Sequence, residues 1–204
     1  LSPDNTLVLV NGKRMHRAAV IAFLGGGISD GSQGPDVSVI PSIAIKQLEV
    51  LRDGASSQYG SDAIAGVLNF IIRDDAEGFE VTAKYGSTYE GDGDNYQVAA
   101  NVGLPLGEVG FVNISAEYGE SDATDRSVQR DDAAALIAAG NTAVADPAQI
   151  WGQPNVNDDF KLFVNAGVDL AENLELYAFG NYASRNVDGG FFFRNPTSRG
   201  GVYA

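Results

Sequence analysis

The sequence predicts a small α+β domain, with a mixed sheet and short helices, followed by antiparallel strands of a transmembrane β-barrel. Three observations predict this fold class. The composition changes near residue 75, from short, dense apolar runs to long segments in which apolar and polar residues alternate. Glycine makes up 25 of the 204 residues, which is well above the usual ~7% and typical of tight turns and strands. Of the connections between the alternating segments, those at 105–110 and 171–173 are short, whereas the one between them at about 121–158 is long.

The charge balance excludes one class of partner. The formal net charge is −14, from 13 Lys and Arg against 27 Asp and Glu. Nucleic-acid binding needs clustered cations that neutralise phosphates, so we expect no nucleic-acid partner.

The sequence has no cysteine, which excludes disulfides and thiolate metal sites. No stretch reaches the ~18 apolar residues of a membrane helix, but barrel strands of ~10 alternating residues are missed by a hydropathy scan.

The N-terminal region, residues 1–75, predicts a small sheet with helical turns. Thr6–Val10 is a short apolar run that ends at the turn signal Asn11-Gly12, so it predicts a buried strand. Residues 45–52 predict a second, largely buried strand, and residues 67–73 predict a third. Between them, residues 55–66 are rich in small side chains and predict one or two short helical turns.

The C-terminal region, residues 76–204, alternates with a period of two, so each strand has one apolar and one polar face. In a soluble sandwich the apolar face would point to a core, and in a membrane barrel it would point to lipid. Alternation alone fits either fold. The strand at 174–183 carries aromatic residues on both faces, so its lipid side is not assigned. The apolar positions are Phe79, Val81, Ala83 and Tyr85; Tyr96, Val98, Ala100, Val102 and Leu104; Val112, Ile114, Ala116 and Tyr118; and Leu162, Val164, Ala166 and Val168.

Connection lengths favour the barrel. The links at 105–110 and 171–173 are short, whereas the link at about 121–158 is long and polar. If the first strand runs outward from the periplasm, the short links lie on the periplasmic side and the long loop is extracellular, as in outer-membrane barrels. Soluble sandwiches have no reason to sort loops by side. The Ala-rich stretch at 130–139 has acidic residues near its start and predicts a short surface helix.

One continuous segment, residues 45–73, resembles a known family. It reads IKQLEVLRDGASSQYGSDAIAGVLNFIIR, and it follows the run LVLVNGKR at residues 7–14 and the pair Ile40-Pro41. The segment resembles the plug domain of TonB-dependent outer-membrane receptors, which carries the signature IExIEVLRGxxSxxYGSxAIGGVINIIT. Two departures are small. Asp53 stands before Gly54 where many members run from Arg directly into Gly, and Ala65 replaces a common Gly.

The resemblance implies the organisation of the chain. Residues 1–75 would be the C-terminal part of a plug domain, and residues 76–204 the first strands of an outer-membrane β-barrel with a long extracellular loop at about 121–158. The barrel would be truncated, because plugged barrels of ~22 strands with ~10 residues each need more than this chain supplies. A TonB box is expected before residue 1.

The resemblance also implies a function. Such receptors actively import a scarce nutrient, such as an iron–siderophore or another large ligand, across the bacterial outer membrane, while the plug gates the barrel. The expected partners are TonB, outer-membrane lipid and the nutrient ligand. Neither enzyme activity nor a cofactor or metal is expected. The substrate stays open, since siderophore, haem, cobalamin and oligosaccharide importers share the same plug.

Candidate site residues follow from the same resemblance. The loop at 25–36 corresponds to an apical plug loop that faces incoming substrate. Its candidate contact residues are Ser29, Asp30, Ser32, Gln33 and Asp36. Glu49 and Arg52 match charged plug positions that pair with charges of the barrel wall, so we expect them to lock the plug in place. No residue is expected to be catalytic.

Other interpretations stay open beside this one. A secreted β-rich enzyme or binding protein acting on glycans could use acidic pairs such as Glu117 and Asp122 as acid and base, but the sequence contains no nucleophile motif. A passive porin has no separate domain before its barrel, and no feature of the sequence favours a periplasmic binding module.

His16 is interpreted as a solvated loop residue. Trp151 is interpreted equally as a girdle, ligand-stacking or loop-packing residue.

Overall fold

The computed structural model describes residues 3–18, 21, 30–52, 56–190 and 193–196. They form one four-stranded and one five-stranded sheet. The chain divides into two compact units. The first comprises Leu1–Thr82, Val98–Glu117 and Phe160–Ala183, and the second comprises Ala83–Gln97, Tyr118–Asp159 and Ser184–Ala204.

The N-terminal sheet is mixed, as predicted. Its strands are β1 (Thr6–Val10), β2 (Lys13–Arg14), β3 (Ile45–Leu51) and β4 (Gly66–Ile72). They lie in the order β2-β1-β4-β3. The central pair, β1 and β4, runs parallel, and both outer pairs run antiparallel. The strands predicted at 6–10, 45–52 and 67–73 are therefore confirmed to within a residue at each end.

Short helices connect these strands. Helix α1 (Ser56–Tyr59) and a 3₁₀ turn (Ser61–Ala63) lie between β3 and β4, which confirms the helical turns predicted there. Further 3₁₀ turns lie at Pro3–Asn5, Val37–Val39 and Ser42–Ala44. The last of these follows Pro41, whose ring holds φ near the helical value and suits an entry into helical structure.

The core of this domain surrounds β1, which is buried on both faces. Alternate side chains of a strand point to opposite faces, so Leu7 and Leu9 pack with Ala63 and Val67 on one side. On the other side Val10 packs in a second apolar cluster. The members of that second cluster are Val10, Ile40, Ala44, Ile72 and Phe163.

The exposure of β3 corrects one prediction. Residues 45–52 were expected to form a largely buried strand, yet Leu48 is 47%, Val50 53% and Leu51 44% exposed. β3 is the edge strand of the sheet and pairs only with β4. No element in the described part of the chain covers its faces, so its apolar content did not predict its burial.

The C-terminal sheet is an antiparallel meander. Its strands are β5 (Phe79–Gly86), β6 (Asn95–Pro105), β7 (Gly110–Ser121), β8 (Asn155–Ala171) and β9 (Leu174–Asp188). Each strand pairs with its sequence neighbours, and β5 and β9 form the two edges. Across the described strands the sheet is an unclosed barrel wall, which confirms the predicted fold class.

The longest connection of this sheet joins β7 to β8. It contains helix α2 (Asp131–Ala138), with Asp131 and Asp132 in its first turn, so the short helix predicted there is confirmed. No helix among the described residues is both long and apolar enough to cross a membrane. The domain boundary predicted at residue 75 falls between β4 and β5 and stays a prediction.

Candidate functional site

The five-stranded sheet buries its polar face and exposes its apolar one. On β7 the side chains of Asn113, Ser115 and Glu117 are at most 3% exposed, whereas the apolar residues between them are only partly covered. On β6 Asn101 is buried while Val98 is 48% exposed. A soluble sheet shows the opposite pattern, because burying polar groups costs free energy unless they are paired. A barrel wall with hydrocarbon outside and a polar lumen inside shows this one.

The N-terminal domain covers part of that polar face through Ser42. The Ser42 backbone N–H and hydroxyl both donate to Glu117 Oε2, at 3.0 and 2.9 Å. Ser42 begins a 3₁₀ turn, and the first N–H groups of a helix have no acceptor within it. The Glu117 carboxylate, on β7 of the sheet, therefore caps a turn of the N-terminal domain.

Lys161 completes this contact. Its Nζ donates to Glu117 Oε1 at 2.7 Å, and the side chains of Lys161 and Glu117 are 11% and 3% exposed. Removing a carboxylate from water costs several kcal/mol, which only good geometry and additional hydrogen bonds offset. Here one ammonium and two donors of Ser42 serve the two carboxylate oxygens, so Glu117 is buried as a fully partnered anion.

Amides of the sheet hold the segment that leaves β4. Asn165 Nδ2 donates to the Arg73 carbonyl at 2.9 Å, and Asn113 Nδ2 donates to the Asp75 carbonyl at 3.2 Å. Asn101 in turn donates to the Asn113 side chain at 2.6 Å. Side-chain amides thus take the place of a strand partner for this stretch of backbone.

Gly103 lets the same segment lie directly on β6. A Cβ at this position would come within 2.4 Å of the Asp75 carbonyl oxygen and 2.9 Å of the Glu77 backbone. The Gly103 N–H also donates to the Gly78 carbonyl at 2.9 Å. Any side chain at residue 103 would push the segment off the sheet.

Aromatic residues of β8 and β9 reach the apolar core of the domain. Phe163 is buried in the second core cluster, and its ring stacks on Phe179 with 6.1 Å between centroids. Asn11 donates to the Tyr177 hydroxyl. Tyr177 and Phe179 thus face the N-terminal domain, which assigns the inner face of the strand at 174–183. Tyr182, on the other face, is exposed and lies beside Phe160.

Three of the five predicted substrate-contact residues, Ser32, Gln33 and Asp36, are buried or hydrogen-bonded within the N-terminal domain. Ser32 is 5% exposed. The Gln33 backbone N–H donates to Asp4 and its side chain donates to the Ala18 carbonyl. Asp36 caps the turn Val37–Val39 by accepting from Ser38. Asp30 is exposed, and Ser29 lies outside the described residues. Substrate contact by these residues stays a prediction.

A small cavity lies beside this loop. Its volume is about 120 Å³, and Gln33, Arg14, His16 and Arg17 are among the residues that line it. Arg14 forms a salt bridge with Asp62, and this guanidinium lowers the pKa of the Asp62 carboxyl. The exposed position of His16 agrees with its interpretation as a solvated loop residue.

The two residues predicted to lock the domain to the wall lie on β3 and at its end. Glu49 Oε2 accepts from Asn69 Nδ2 of the adjacent strand at 2.8 Å, and Arg52 is exposed. Their role stays a prediction. The contact that the structure describes instead, Ser42 with Glu117 and Lys161, was not anticipated. Its signals were the serine after Pro41 and two opposite charges at inward-facing positions of β7 and β8.

The second unit has its own charged contact. Arg126, in the connection from β7 to β8, donates to both carboxylate oxygens of Asp92 at 2.5 and 2.7 Å. Asp92 lies in the hairpin between β5 and β6 and also accepts from Thr88. Hydrogen bonds from Arg126 and then Thr88 hold the pKa of Asp92 well below its usual range. The pair ties the hairpin to the long connection.

Comparison with a family model identifies the N-terminal domain. The family model of the TonB-dependent receptor plug domain matches residues 1–67. Residues 1–67, about a third of the chain, are therefore a TonB-dependent receptor plug domain. The resemblance seen in residues 45–73 is therefore confirmed, and the four-stranded sheet is the plug while the five-stranded sheet is barrel wall. The contact of Ser42 with Glu117 and Lys161 joins plug to wall.

Solved TonB-dependent receptors share this fold. The ferric enterobactin receptor PfeA from Pseudomonas aeruginosa, crystallised with enterobactin, superposes with a TM-score of 0.68 at 18% identity over 95% of this chain. A second crystal structure of PfeA gives 0.62 at 18% identity, also over 95% of this chain. The siderophore receptor PirA from Pseudomonas aeruginosa gives 0.53 at 16% identity over 91% of this chain. The chain spans about a quarter of the length of these receptors, 26% of PfeA and 27% of PirA.

Proposed function

We propose that this chain is part of a receptor that actively imports a scarce nutrient, an iron–siderophore or another large ligand, across the bacterial outer membrane. TonB would supply the force, and the plug would gate the barrel. The observation that carries the proposal is the buried polar face of the wall, where Glu117, Asn113 and Asn165 hold the plug by hydrogen bonds. Transport by such a receptor needs no covalent chemistry.

The polar contacts suit a plug that moves, although Phe163 of the wall also packs in the second apolar cluster of the plug. A hydrogen bond between plug and wall can be exchanged for one to water, so a neutral one contributes only about 0.5–1.5 kcal/mol net and one to the Glu117 carboxylate about 1.5–3 kcal/mol. An apolar interface would instead expose surface on separation at roughly 25 cal/mol per Å². In a hydrated lumen the contacts of Ser42, Arg73 and Asp75 would therefore hold the resting plug yet yield to a pull.

A glycan-active enzyme is supported less well. Such an enzyme needs a carboxylic acid and a carboxylate that face the substrate. Glu117, one of the two residues considered for that role, is 3% exposed and bonded to Ser42 and Lys161. It is placed to hold two elements together rather than to meet a substrate.

A growth test identifies the nutrient class. The strain that lacks the full-length receptor is grown with single iron or carbon sources at limiting concentration. We expect failure on at least one source, restored by the intact receptor and abolished again when TonB is removed. Normal growth of the deletion strain on every source would contradict import.

A reversible cross-link tests gating. In a cysteine-free full-length receptor, Asn11→Cys in the plug and Tyr177→Cys in the wall are bridged by a cleavable bismaleimide. Because the two side chains are in contact, the bridge would hold the plug to the wall. We expect uptake to stop on bridging and to return on cleavage, with both single variants unaffected by the reagent. Unchanged uptake by the bridged receptor would contradict a moving plug.

A further inference from the structure

The small cavity of the plug takes no part in the plug–wall contact. Its volume is about 120 Å³. One water molecule takes up about 30 Å³ of the liquid, so the cavity has room for roughly four waters. It can therefore admit one small chemical group but not a whole nutrient. Its charged lining residues are Arg14, Arg17, Asp4 and Asp62.

Basic residues are concentrated beside this cavity. The chain has 13 Lys and Arg in 204 residues, and three of them, Lys13, Arg14 and Arg17, fall within five consecutive positions. The formal net charge of the chain is −14, so a cluster of cations runs against its general composition. Surface cations are usually solvated. This cluster is different because two of its guanidinium groups line the same cavity.

The backbone that carries these side chains is held on both sides. The Met15 N–H donates to the Val8 carbonyl at 2.9 Å. The Ala18 N–H donates to the Gly34 carbonyl at 3.0 Å, and Gln33 Nε2 donates to the Ala18 carbonyl at 2.6 Å. The segment between these bonds is therefore anchored before any ligand arrives, and a preformed site loses less entropy on binding.

Guanidinium donors at the cavity outnumber the carboxylates that engage them. Each guanidinium carries five N–H donors. Arg14 donates to Asp62, and Asp4 accepts from the Gln33 N–H at 3.0 Å, so both carboxylates already have partners. Among the described residues, no hydrogen bond or ion pair engages Arg17. The donors of Arg17 and the remaining donors of Arg14 are available to an anion in the cavity.

A carboxylate at this cavity already responds to both arginines. The hydrogen bond from Arg14, and to a smaller extent the charge of Arg17, lower the pKa of the Asp62 carboxyl. A second anion in the cavity would meet the same two cations. The charge of Asp62 opposes such an anion, so its removal should strengthen binding.

We propose that the cavity binds one oxyanion group, a carboxylate or a phosphate, through Arg17 and the remaining donors of Arg14. A guanidinium matches two oxygens of such a group with two parallel N–H donors, and these charge-assisted bonds are short and strong. The group is either a substituent of the imported nutrient or a free anion. The first case rests on the proposed import function and makes the nutrient anionic, whereas the second case is independent of it.

Calorimetry on the full-length receptor in detergent tests the site. The anionic probes are ferric citrate, ferric enterobactin and inorganic phosphate, and ferrichrome is a neutral probe. We expect at least one anionic probe to bind. Arg17→Gln should weaken that binding about tenfold or more, the loss of a charge-assisted hydrogen bond, whereas Arg17→Lys should retain part of it. Binding of a chelate alone would assign the anion to the nutrient, and binding of phosphate alone would assign a free anion.

Two further variants separate the site from general surface charge. Lys13→Gln removes a cation of the same cluster that lies outside the described lining of the cavity, and it should leave binding unchanged. Asp62→Asn removes the opposing carboxylate and releases Arg14, so it should strengthen binding several-fold. The Arg14 and Asp62 side chains are 55% and 32% exposed, and such pairs contribute little to folding, so we expect this variant to fold normally.

Three outcomes would overturn the proposal: no anionic probe binds, Arg17→Gln binds as well as the unaltered receptor, or Lys13→Gln loses as much affinity as Arg17→Gln. Uptake in cells separates this inference from the import function. Arg17-dependent anion binding without receptor-dependent uptake would contradict import and leave the anion site standing. Receptor-dependent uptake of a nutrient without Arg17-dependent anion binding would contradict the anion site alone.

Discussion

Strands β1 and β7 both carry a row of buried side chains, but the buried residues are of opposite kinds. In β1 the side chains from Leu7 to Val10 are apolar and buried on both faces. In β7 the buried side chains are Asn113, Ser115 and Glu117, and the apolar ones face outward. The difference teaches that alternation defines two faces without saying which one is inside. What surrounds each sheet decides that.

The two regions are also stabilised differently. The plug core depends on apolar area, and fully burying one Leu or Val contributes about 1.5–3 kcal/mol. The plug–wall contact depends on matched polar groups, whose net contribution is small but whose individual loss is costly. Substitutions in the plug core should therefore destabilise the protein by removing buried apolar area. Substitutions at the plug–wall contact should destabilise it by leaving a buried polar group without its partner.

Removing the Lys161 ammonium should have the largest effect. Lys161→Met leaves the Glu117 carboxylate buried without its counter-ion, which costs about 3–5 kcal/mol. Faster hydrogen exchange at Ser42–Ala44 in the full-length receptor would report the loosened plug. Adding Glu117→Gln should recover most of the loss, because Ser42 can still donate to the amide oxygen. If hydrogen exchange at Ser42–Ala44 is faster in the double variant than in Lys161→Met alone, Lys161 does not stabilise the plug through Glu117.

Truncating the plug core should have a similar or slightly smaller effect. Leu9→Ala removes a side chain that is 7% exposed and should destabilise the plug by about 2–5 kcal/mol. Leu48→Ala on the exposed edge strand β3 is the matched control and should cost about 1 kcal/mol or less. Urea unfolding followed by hydrogen exchange of β1 measures both. Equal costs would show that β3 is covered in the assembled receptor.

A charge on the outward face of the wall tests what that face meets. Val164→Arg on β8 should cost about 2–4 kcal/mol if the face contacts hydrocarbon. Val109→Arg, in the short link between β6 and β7, should be tolerated. The folded fraction in outer membranes, measured by heat-modifiable migration on gels, reports both. Normal assembly of the Val164 variant would mean that this face is in water.

The smallest effect should come from acidification of the hairpin. The pKa of Asp92 is lowered in the folded loop, so its carboxylate stabilises the loop at neutral pH. That contribution begins to fall below about pH 4, where the carboxyl of the opened loop protonates, and it is lost as the pH approaches the lower pKa of the folded loop. Hydrogen exchange at residues 87–94, corrected for its intrinsic pH dependence, should rise over this range. Asp92→Asn should show no such rise, and Arg126→Lys a weaker one.

The local elements were predictable because neighbouring residues decide them. The apolar run Thr6–Val10 before Asn11-Gly12 gives a strand and a turn in almost any context. Alternation at 161–169 and acidic residues at the start of α2 are equally local signals, whereas the start of β8 at Asn155 lies inside the loop predicted at about 121–158. The plug signature at 45–73 identified the family because a long ordered match is specific even where each position is not.

The plug–wall contact could not be predicted in this way. Ser42, Glu117 and Lys161 are far apart in sequence, and nothing near any of them indicates the others. Glu49 and Arg52, which the family pattern suggested, lie on and just after the exposed strand β3, and their role stays a prediction. Similarly, Arg17 and Asp62 line one cavity although they are far apart in sequence.

The sequence by itself determined the strands, the turns, the plug signature and the two faces of the barrel strands other than the one at 174–183, because these depend on the order of nearby residues. Only the tertiary structure decided that the polar face is the buried one, that β3 is exposed and that Glu117 is partnered by Ser42 and Lys161. Burial and pairing depend on which distant segments come together, and the cost of an unpaired buried charge then selects the partner.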